Sequence, residues 1–336
     1  MTMLKALGAI AAGQSLTRAQ AHAVMGTIMD GEATPAQVGA FLMGLRLRGE
    51  TADEVTGFAQ AMREHATPVR CRRAPLVDTC GTGGDGLGTF NISTAAAFVA
   101  AGAGAVVAKH GNRAASSHCG SADVLAELGV SLDLAPDDVA RCVDDIGIGF
   151  LFAQALHPAM RHAAGPRREL GVRTVFNILG PLSNPAGATR QVLGVGSASL
   201  TAIVAEVSAA LGTERAFVVH GGGMDEITTL GPTAVTEIRD GATHQYGVRP
   251  EDFGLAPAAL ADLAGGTPAE NAAILLRVLS GEPGPRRDIV LLNAAAAIAA
   301  ADLAGSLAEA VPVAQESIDS GAALAKLEAL RGFRAQ

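Results

Sequence analysis

The stretch Leu76-Val77-Asp78-Thr79-Cys80-Gly81-Thr82-Gly83-Gly84-Asp85-Gly86 constrains the fold more than any other. A short apolar run stops at five glycines within 81–88, and helix-compatible sequence resumes at about Ser93. Strand, glycine turn, helix is the opening unit of a parallel α/β sheet. Such a turn lets backbone N–H groups approach phosphate oxygens, and the start of the following helix adds a favourable dipole. Thr89, Asn91, Ser93 and Thr94 surround that helix start and bring hydroxyl and amide groups to it. The order of residues is neither the GxxxxGK of nucleoside triphosphate loops nor the GxGxxG of dinucleotide folds.

The flanking sequence divides into two styles. Residues 1–72 read as a small helical domain with no strand pattern. Thr17 with Gln20 and Thr51 with Glu54 form capping boxes, Thr34-Pro35 opens a helix between them, and Asp30-Gly31 and Gly49 supply stops. The apolar run after Lys5 is short and Ala/Gly-rich, so it reads as a first helix rather than a secretion leader. From Leu76 onward, apolar runs at 76–79, 105–109, 148–152, 191–195 and 216–220 alternate with helices at 93–103, 122–128 and 202–211. That alternation predicts a mainly parallel sheet covered on both faces. Runs at 233–238 and 244–248 flank Asp240-Gly241, a hairpin signal, and the chain from about Pro268 is helical. Segment 166–190, broken by Gly180-Pro181 and Asn184-Pro185, fits neither style and reads as a crossover packing on the helical domain. The α/β domain then comprises 73–165 and 191–336.

Three more clusters carry chemistry. Lys109-His110-Gly111-Asn112-Arg113 ends the second predicted strand, and Ser116, Ser117 and Ser121 follow it. Ligands of open α/β sheets bind beyond the carboxyl ends of strands, so this cluster and the glycine loop should share a crevice. Gly221-Gly222-Gly223-Met224-Asp225-Glu226 ends another strand. After three glycines its two carboxylates can converge, and magnesium typically takes one or two protein carboxylates together with substrate phosphate. Arg167 offers a guanidinium fork suited to a carboxylate. His157 and His162 are five apart, off the helical spacing for a shared metal, so His157 reads as a capping or packing residue.

Composition narrows the class. Nearly half the residues are apolar, Trp is absent and Tyr occurs once, so the core must be built from small aliphatic side chains on closely packed elements. A net charge of −8 argues against a nucleic-acid or anionic-membrane binder while leaving room for a locally basic pocket. Four cysteines without zinc spacing predict free thiols in the cytoplasm. The Ala-rich run 289–301 is too short for a membrane span and carries Asn293.

Together the segments GTGGDG…TFNIST, AKHGNR, SADVLAELG, GFLFA…HPAM, RELGVRTVFNILGPLSNP and the late Gly-rich MDE resemble the anthranilate phosphoribosyltransferase family, in the family's order and over nearly the whole chain. The resemblance implies a nucleoside-phosphorylase-like phosphoribosyltransferase fold, usually a homodimer joined through the helical domains. It implies magnesium-dependent condensation of anthranilate with 5-phosphoribosyl 1-diphosphate in tryptophan synthesis. Carried over, the family pattern puts the diphosphate substrate on Gly81, Gly84, Asp85, Thr89, Asn91, Ile92, Ser93 and Thr94. It continues that site through Lys109, His110, Gly111, Asn112, Arg113, Ala114, Ala115, Ser116, Ser117 and Ser121. Anthranilate would meet Gly81, Asn112 and Arg167; Ser93, Asp225 and Glu226 would serve Mg2+; no general base is assigned.

The chain departs from the family pattern at two places. Ser116-Ser117-His118-Cys119-Gly120 stands where a Lys followed by a small residue is more usual, and Gln154 and Leu156 stand where Pro and an aromatic or Met are expected. Two other readings compete. A related pyrimidine nucleoside phosphorylase shares the fold, but its phosphate loop should differ from GTGGD. A non-catalytic nucleic-acid-binding relative is opposed by the net charge and by the intact Asp225-Glu226 pair.

Overall fold

The computed structural model describes residues 1–114 and 118–335. Four helices come first: α1 (Met3–Ala11), α2 (Arg18–Met29), α3 (Pro35–Arg48) and α4 (Ala52–Glu64). Threonine hydroxyls cap all four starts, and three of them are reciprocal capping boxes. Thr17, Thr34 and Thr51 each accept the third helical N–H, and Gln20, Gln37 and Glu54 accept the cap N–H in return. The buried Glu54 also accepts from Leu16 N at 2.8 Å and pairs with Arg48, so one carboxylate ties α3 and α4 to the connection that leads into α2.

The α/β part runs β1 (Val77–Gly81), α5 (Ile92–Gly102), β2 (Val107–Gly111), α6 (Ser121–Glu127), α7 (Pro136–Arg141) and β3 (Ile148–Phe152). Three short helices follow, α8 (Ala153–Leu156), α9 (Arg161–Leu170) and α10 (Phe176–Leu179). The chain then re-enters the sheet as β4 (Arg190–Gly194), α11 (Leu200–Ala210), β5 (Arg215–Gly221), β6 (Thr233–Arg239) and β7 (Ala242–Val248). Helices α12 (Pro268–Leu279), α13 (Pro285–Ala300), α14 (Leu307–Asp319) and α15 (Ala322–Gly332) complete it.

The strands form one sheet in the order β3-β2-β1-β4-β5-β6-β7. The first five positions are parallel, and the β6–β7 hairpin turns through Asp240 and Gly241, both at positive φ. Because β2 and β3 lie on one side of β1 and β4 on the other, the connection reverses beside β1. That reversal leaves a crevice at the carboxyl ends of β1 and β4.

Side chains alternate across the pleat. Val77, Val107, Val192, Phe217 and Val219 pack on one face with α5, α12 and α13, whereas Leu193, Val195, Ala216, Val218 and Ile238 pack on the other with α11 and the helical bundle. Small residues make the first face possible. All residues of α13 from Ile289 to Ala300 are buried, and a Cβ on Gly102 of α5 would collide with Ser317 and the α15 backbone. The second core takes in Val175, Phe176, Leu179 and Leu182, so the segment between β3 and β4 lies against α3 and α4.

One strand starts later than its sequence suggests. The run 105–109 is paired instead over Val107–Gly111, because Ala105 is used in closing α5, its N–H donating to Ala100 O. Lys109 therefore lies inside the strand with its side chain under the crevice floor, and Gly111 is the last strand residue.

Candidate active site

The glycine loop leaves β1 with Gly83, Gly84, Gly86 and Gly88 at φ of 61–73°, a region that side-chain-bearing residues rarely adopt. Thr82 anchors the loop to β4, its N–H donating to Gly194 O at 2.8 Å and its Oγ1 accepting from Gly196 N at 3.1 Å. The Gly83 N–H donates to Asp225 Oδ2 at 2.7 Å, and Asp85 Oδ1 accepts from Leu87 N at 3.2 Å. At the start of α5 the Asn91 amide is held by protein, donating to Cys119 O at 3.2 Å and accepting from Asn271 Nδ2 at 2.9 Å. Thr94 Oγ1, by contrast, is buried on the cleft wall without a partner among the described residues.

Asp225 and Glu226 reach this loop through a tight turn. Gly221 and Met224 exchange backbone hydrogen bonds across Gly222 and Gly223, both at positive φ. Asn293 of α13 then clasps Ile227, accepting from its N–H and donating to its carbonyl, both at 2.9 Å. The turn lies so close to β1 and β4 that a Cβ on Gly81 would meet the Asp225 carboxylate and one on Gly194 its main-chain oxygen. Burial and the neighbouring Asp225 push the Glu226 carboxyl well above its usual range. Burial and Asp85 push Asp225 up as well. Lys109 stands beneath, donating to the Thr79 carbonyl and reaching Ser93 Oγ at 3.4 Å; burial lowers its pKa. Asp78 completes the floor, accepting from His110 N at 3.0 Å and Asn184 Nδ2 at 2.8 Å.

The donor set beside the loop is oxygen only: Asp225, Glu226 and the Ser93 hydroxyl. It fits Mg2+, which needs one or two protein carboxylates and keeps water and substrate oxygens in its other positions. Crowded carboxylates with raised pKa are the electrostatic mark of a place that a cation would relieve.

A second, more apolar pocket adjoins the first, with His110 and Asn112 on the shared wall. Met62, Ala153, Pro158, Met160 and Phe176 line it, and Arg167 lies 5.0 Å from the Phe176 ring centroid. Among the described residues no carboxylate lines this pocket. His110 and His157 face each other with ring centroids 5.0 Å apart and buried Nε2 atoms that have no partner among the described residues. Burial, and then each other's proximity, brings His110 down to about 3; burial brings His157 to about 4, so both rings are neutral at physiological pH.

The structure brings most of the sequence-derived site together. Gly81, Gly84, Asp85, Thr89, Asn91, Ile92, Ser93, Thr94, Lys109, His110, Gly111, Asn112, Arg113, Ala114, Ser121, Asp225 and Glu226 all line the first cleft. Ala115, Ser116 and Ser117 lie outside the described residues. Some of the seventeen are structural in their contacts: Arg113 pairs with Asp123 at 3.0 Å, and the Ser121 hydroxyl donates to Asn112 O at 3.3 Å. Arg167 and Asn112 line the second pocket, whereas Gly81 lines only the first. His157 makes no side-chain cap; it packs on His110. Of the two departures, the first puts Cys119 and Gly120 on the first cleft, with Ser116 and Ser117 outside the described residues; in the second, Gln154 lines the second pocket and Leu156 is buried in a small core under β3. Sequence reasoning missed Arg173 and Asn177 on the first cleft, and the buried Asn184, Asn271 and Asn293 that hold the loops. Their only linear signal is a polar residue near a helix or turn, which many surface positions share.

A strand-end cleft lined by glycine backbone, joined to a more apolar pocket that no described carboxylate lines, fits a group transferase with two substrate compartments. Residues 73–324 match the glycosyl transferase family, a/b domain, and residues 4–66 the glycosyl transferase family, helical bundle domain. The anthranilate phosphoribosyltransferase of Moorella thermoacetica is 58% identical over 330 residues, 98% of this chain and 97% of that protein. The crystal structure of the Thermus thermophilus enzyme of the same name superposes with a TM-score of 0.93 at 49% identity, covering 97% of this chain and 98% of that one. The Saccharomyces cerevisiae anthranilate phosphoribosyltransferase, solved in complex with PRPP and Mg, has a TM-score of 0.89 at 31% identity over 97% of this chain and 96% of its own. The chain belongs to the anthranilate phosphoribosyltransferase family. The expected fold, a helical bundle beside a larger, mostly parallel sheet domain, is the fold of these structures. The relatives support transfer to anthranilate over nucleoside phosphorolysis.

Proposed function

We propose that this chain transfers the phosphoribosyl group of 5-phosphoribosyl 1-diphosphate to the amine of anthranilate, releasing diphosphate, as a step of tryptophan synthesis. The observation that carries this reading is the two-compartment cleft: backbone N–H groups and carboxylates on one side, an apolar pocket with Arg167 on the other, and Asn112 between.

The loop 81–85 and the start of α5 bind the diphosphate and ribose phosphate, with Thr94 Oγ1 a buried hydroxyl without a partner among the described residues. Ser93, Asp225 and Glu226 would hold Mg2+, which would neutralise charge on the leaving diphosphate. Arg167 pairs with the anthranilate carboxylate while Met62, Met160 and Phe176 cover its ring. The bond from ribose C1 to diphosphate oxygen breaks, the bond from C1 to the amine nitrogen forms, and the amine proton leaves to solvent or diphosphate. An aromatic amine is already neutral near pH 7, so positioning can supply much of the acceleration, up to about 7–11 kcal/mol in favourable cases.

Residues 1–72 form the helical domain, with 166–190 packed on it and the remainder forming the α/β domain. The chain works in the cytoplasm as a homodimer paired through the bundle, where Leu4 and Leu47 are 72% and 76% exposed. No described helix is long and apolar enough to cross a membrane. The decisive assay follows anthranilate fluorescence, which should fall only when both 5-phosphoribosyl 1-diphosphate and Mg2+ are present. Constant fluorescence together with phosphorolysis of thymidine would favour the phosphorylase instead.

A further inference from the structure

Arg173, between α9 and α10, has no part in the roles just assigned. Its guanidinium donates to the carbonyls of Thr82, at 3.2 Å, and Gly83. It lies so close over Gly84 that a Cβ there would collide with it. A trans peptide points its carbonyl and its N–H to opposite sides. The Thr82–Gly83 peptide is thus gripped at both ends, its carbonyl on Arg173 and its N–H on Asp225. The next peptide has its carbonyl on Arg173 as well, so the Gly84 N–H points away from the guanidinium.

Consecutive glycines at positive φ have no steric preference that keeps these peptide planes from rotating. Something outside the loop must set which way the N–H groups face. Asp225 can do so only while its carboxylate is free of other duties, and a metal is one of them.

We propose that Arg173 is the positioning residue of the phosphate loop: it draws the Thr82 and Gly83 carbonyls back so that, with the Gly83 N–H held by Asp225, the Gly84 N–H is presented to the donor's diphosphate. The identity of that anion rests on the transfer reading; the role of Arg173 does not. Its fork matters as much as its charge, because two carbonyls are held by one rigid, planar group.

The test compares Arg173→Ala and Arg173→Lys with the unaltered chain. Calorimetric titration with 5-phosphoribosyl 1-diphosphate and with inorganic diphosphate, each with Mg2+, measures the donor side. Anthranilate's own fluorescence measures the acceptor side. Arg173→Ala should weaken donor and diphosphate binding about 10- to 100-fold, matching a rise in donor KM, as expected for losing charge-assisted bonds. Anthranilate binding should stay within about twofold, and Arg173→Lys should recover little, since an ammonium cannot fork across both carbonyls. Full recovery in Arg173→Lys would overturn the proposal in favour of plain charge attraction, and so would a loss confined to anthranilate. If the alanine variant does not fold, the lysine variant decides on the same comparison. If the unaltered chain binds diphosphate but never consumes anthranilate, the transfer reading fails, while a weakened diphosphate titration in the variants still supports the role of Arg173.

Discussion

The two halves of the cleft are built by opposite means. On the donor side, loops after β1, β2 and β5 converge at the strand ends, and much of what they offer is backbone. On the acceptor side, side chains from α4, α8, α9 and α10 and the turns between them surround an apolar space, with Arg167 as one of its charges. Phosphate oxygens demand N–H groups at close approach, which restricts the chain to glycine at particular positions. A flat aromatic ring demands only apolar cover and one charged anchor, which many residue combinations supply. The donor half should therefore respond to small changes in backbone space, and the acceptor half to loss of individual side chains.

The largest effect should come from the donor side. Asp225→Ala with Glu226→Ala is expected to lower turnover by about a hundredfold to ten-thousandfold, the scale of several kcal/mol of charge stabilisation. Initial rates against Mg2+ concentration check this, and an unchanged magnesium dependence would sink the metal assignment. Gly194→Ala should follow at about 10- to 100-fold, the cost of misplacing a reacting group by about 1 Å. Gly194 is not among the residues lining the cleft, yet its new Cβ would overlap the Asp225 main chain, so the loss should show as a raised Mg2+ requirement. Activity like that of the unaltered chain would show that the turn tolerates displacement.

Arg167→Ala should raise the anthranilate KM about 10- to 100-fold, the cost of a hydrogen-bonded charged partner, with the donor KM near its original value. An effect on the donor alone would remove the distinction between the halves.

Stability should also depend on the shared wall. His110 and His157 are held near 3 and 4, below the 6.5 of a free imidazole. Their depressed values mean that the unfolded chain binds the extra protons. Stability is therefore unaffected by these groups above pH 6.5 and falls as pH drops from 6.5 toward 4. The thermal midpoint should decline over that window, and His157→Asn should flatten the decline. A slope unchanged by His157→Asn would place the sensitivity elsewhere.

The smallest change lies in the helical bundle, at a residue that lines neither pocket. Thr17→Ala removes a capping hydroxyl from α2 and should cost about 1 kcal/mol of stability without altering either KM. A change in either KM would show that the bundle sets cleft geometry.

The helical starts, the strand alternation, the hairpin and the loop residues 81–94 and 109–114 were legible because each is a local matter: a cap, a pleat period, a glycine run at a strand end. Arg173 was not, since nothing in Gly-Val-Arg-Thr marks it as lying over the loop ninety positions earlier. Nor were the asparagines: Asn293 read merely as a polar break in an Ala-rich run, and its partner Ile227 is 66 residues away.

By itself the sequence determined which segments pack as bundle and which as sheet, because periodicity and capping act over a few residues. It also pointed to a loop of closely approachable backbone N–H groups at one strand end, because five glycines there have few other uses. Only the tertiary structure decided that β4 returns beside β1, that Gly81 and Gly194 are small to admit Asp225, and that Arg173 sits over the loop. Those are contacts between residues far apart in the chain, and they exist only once the sheet order is set.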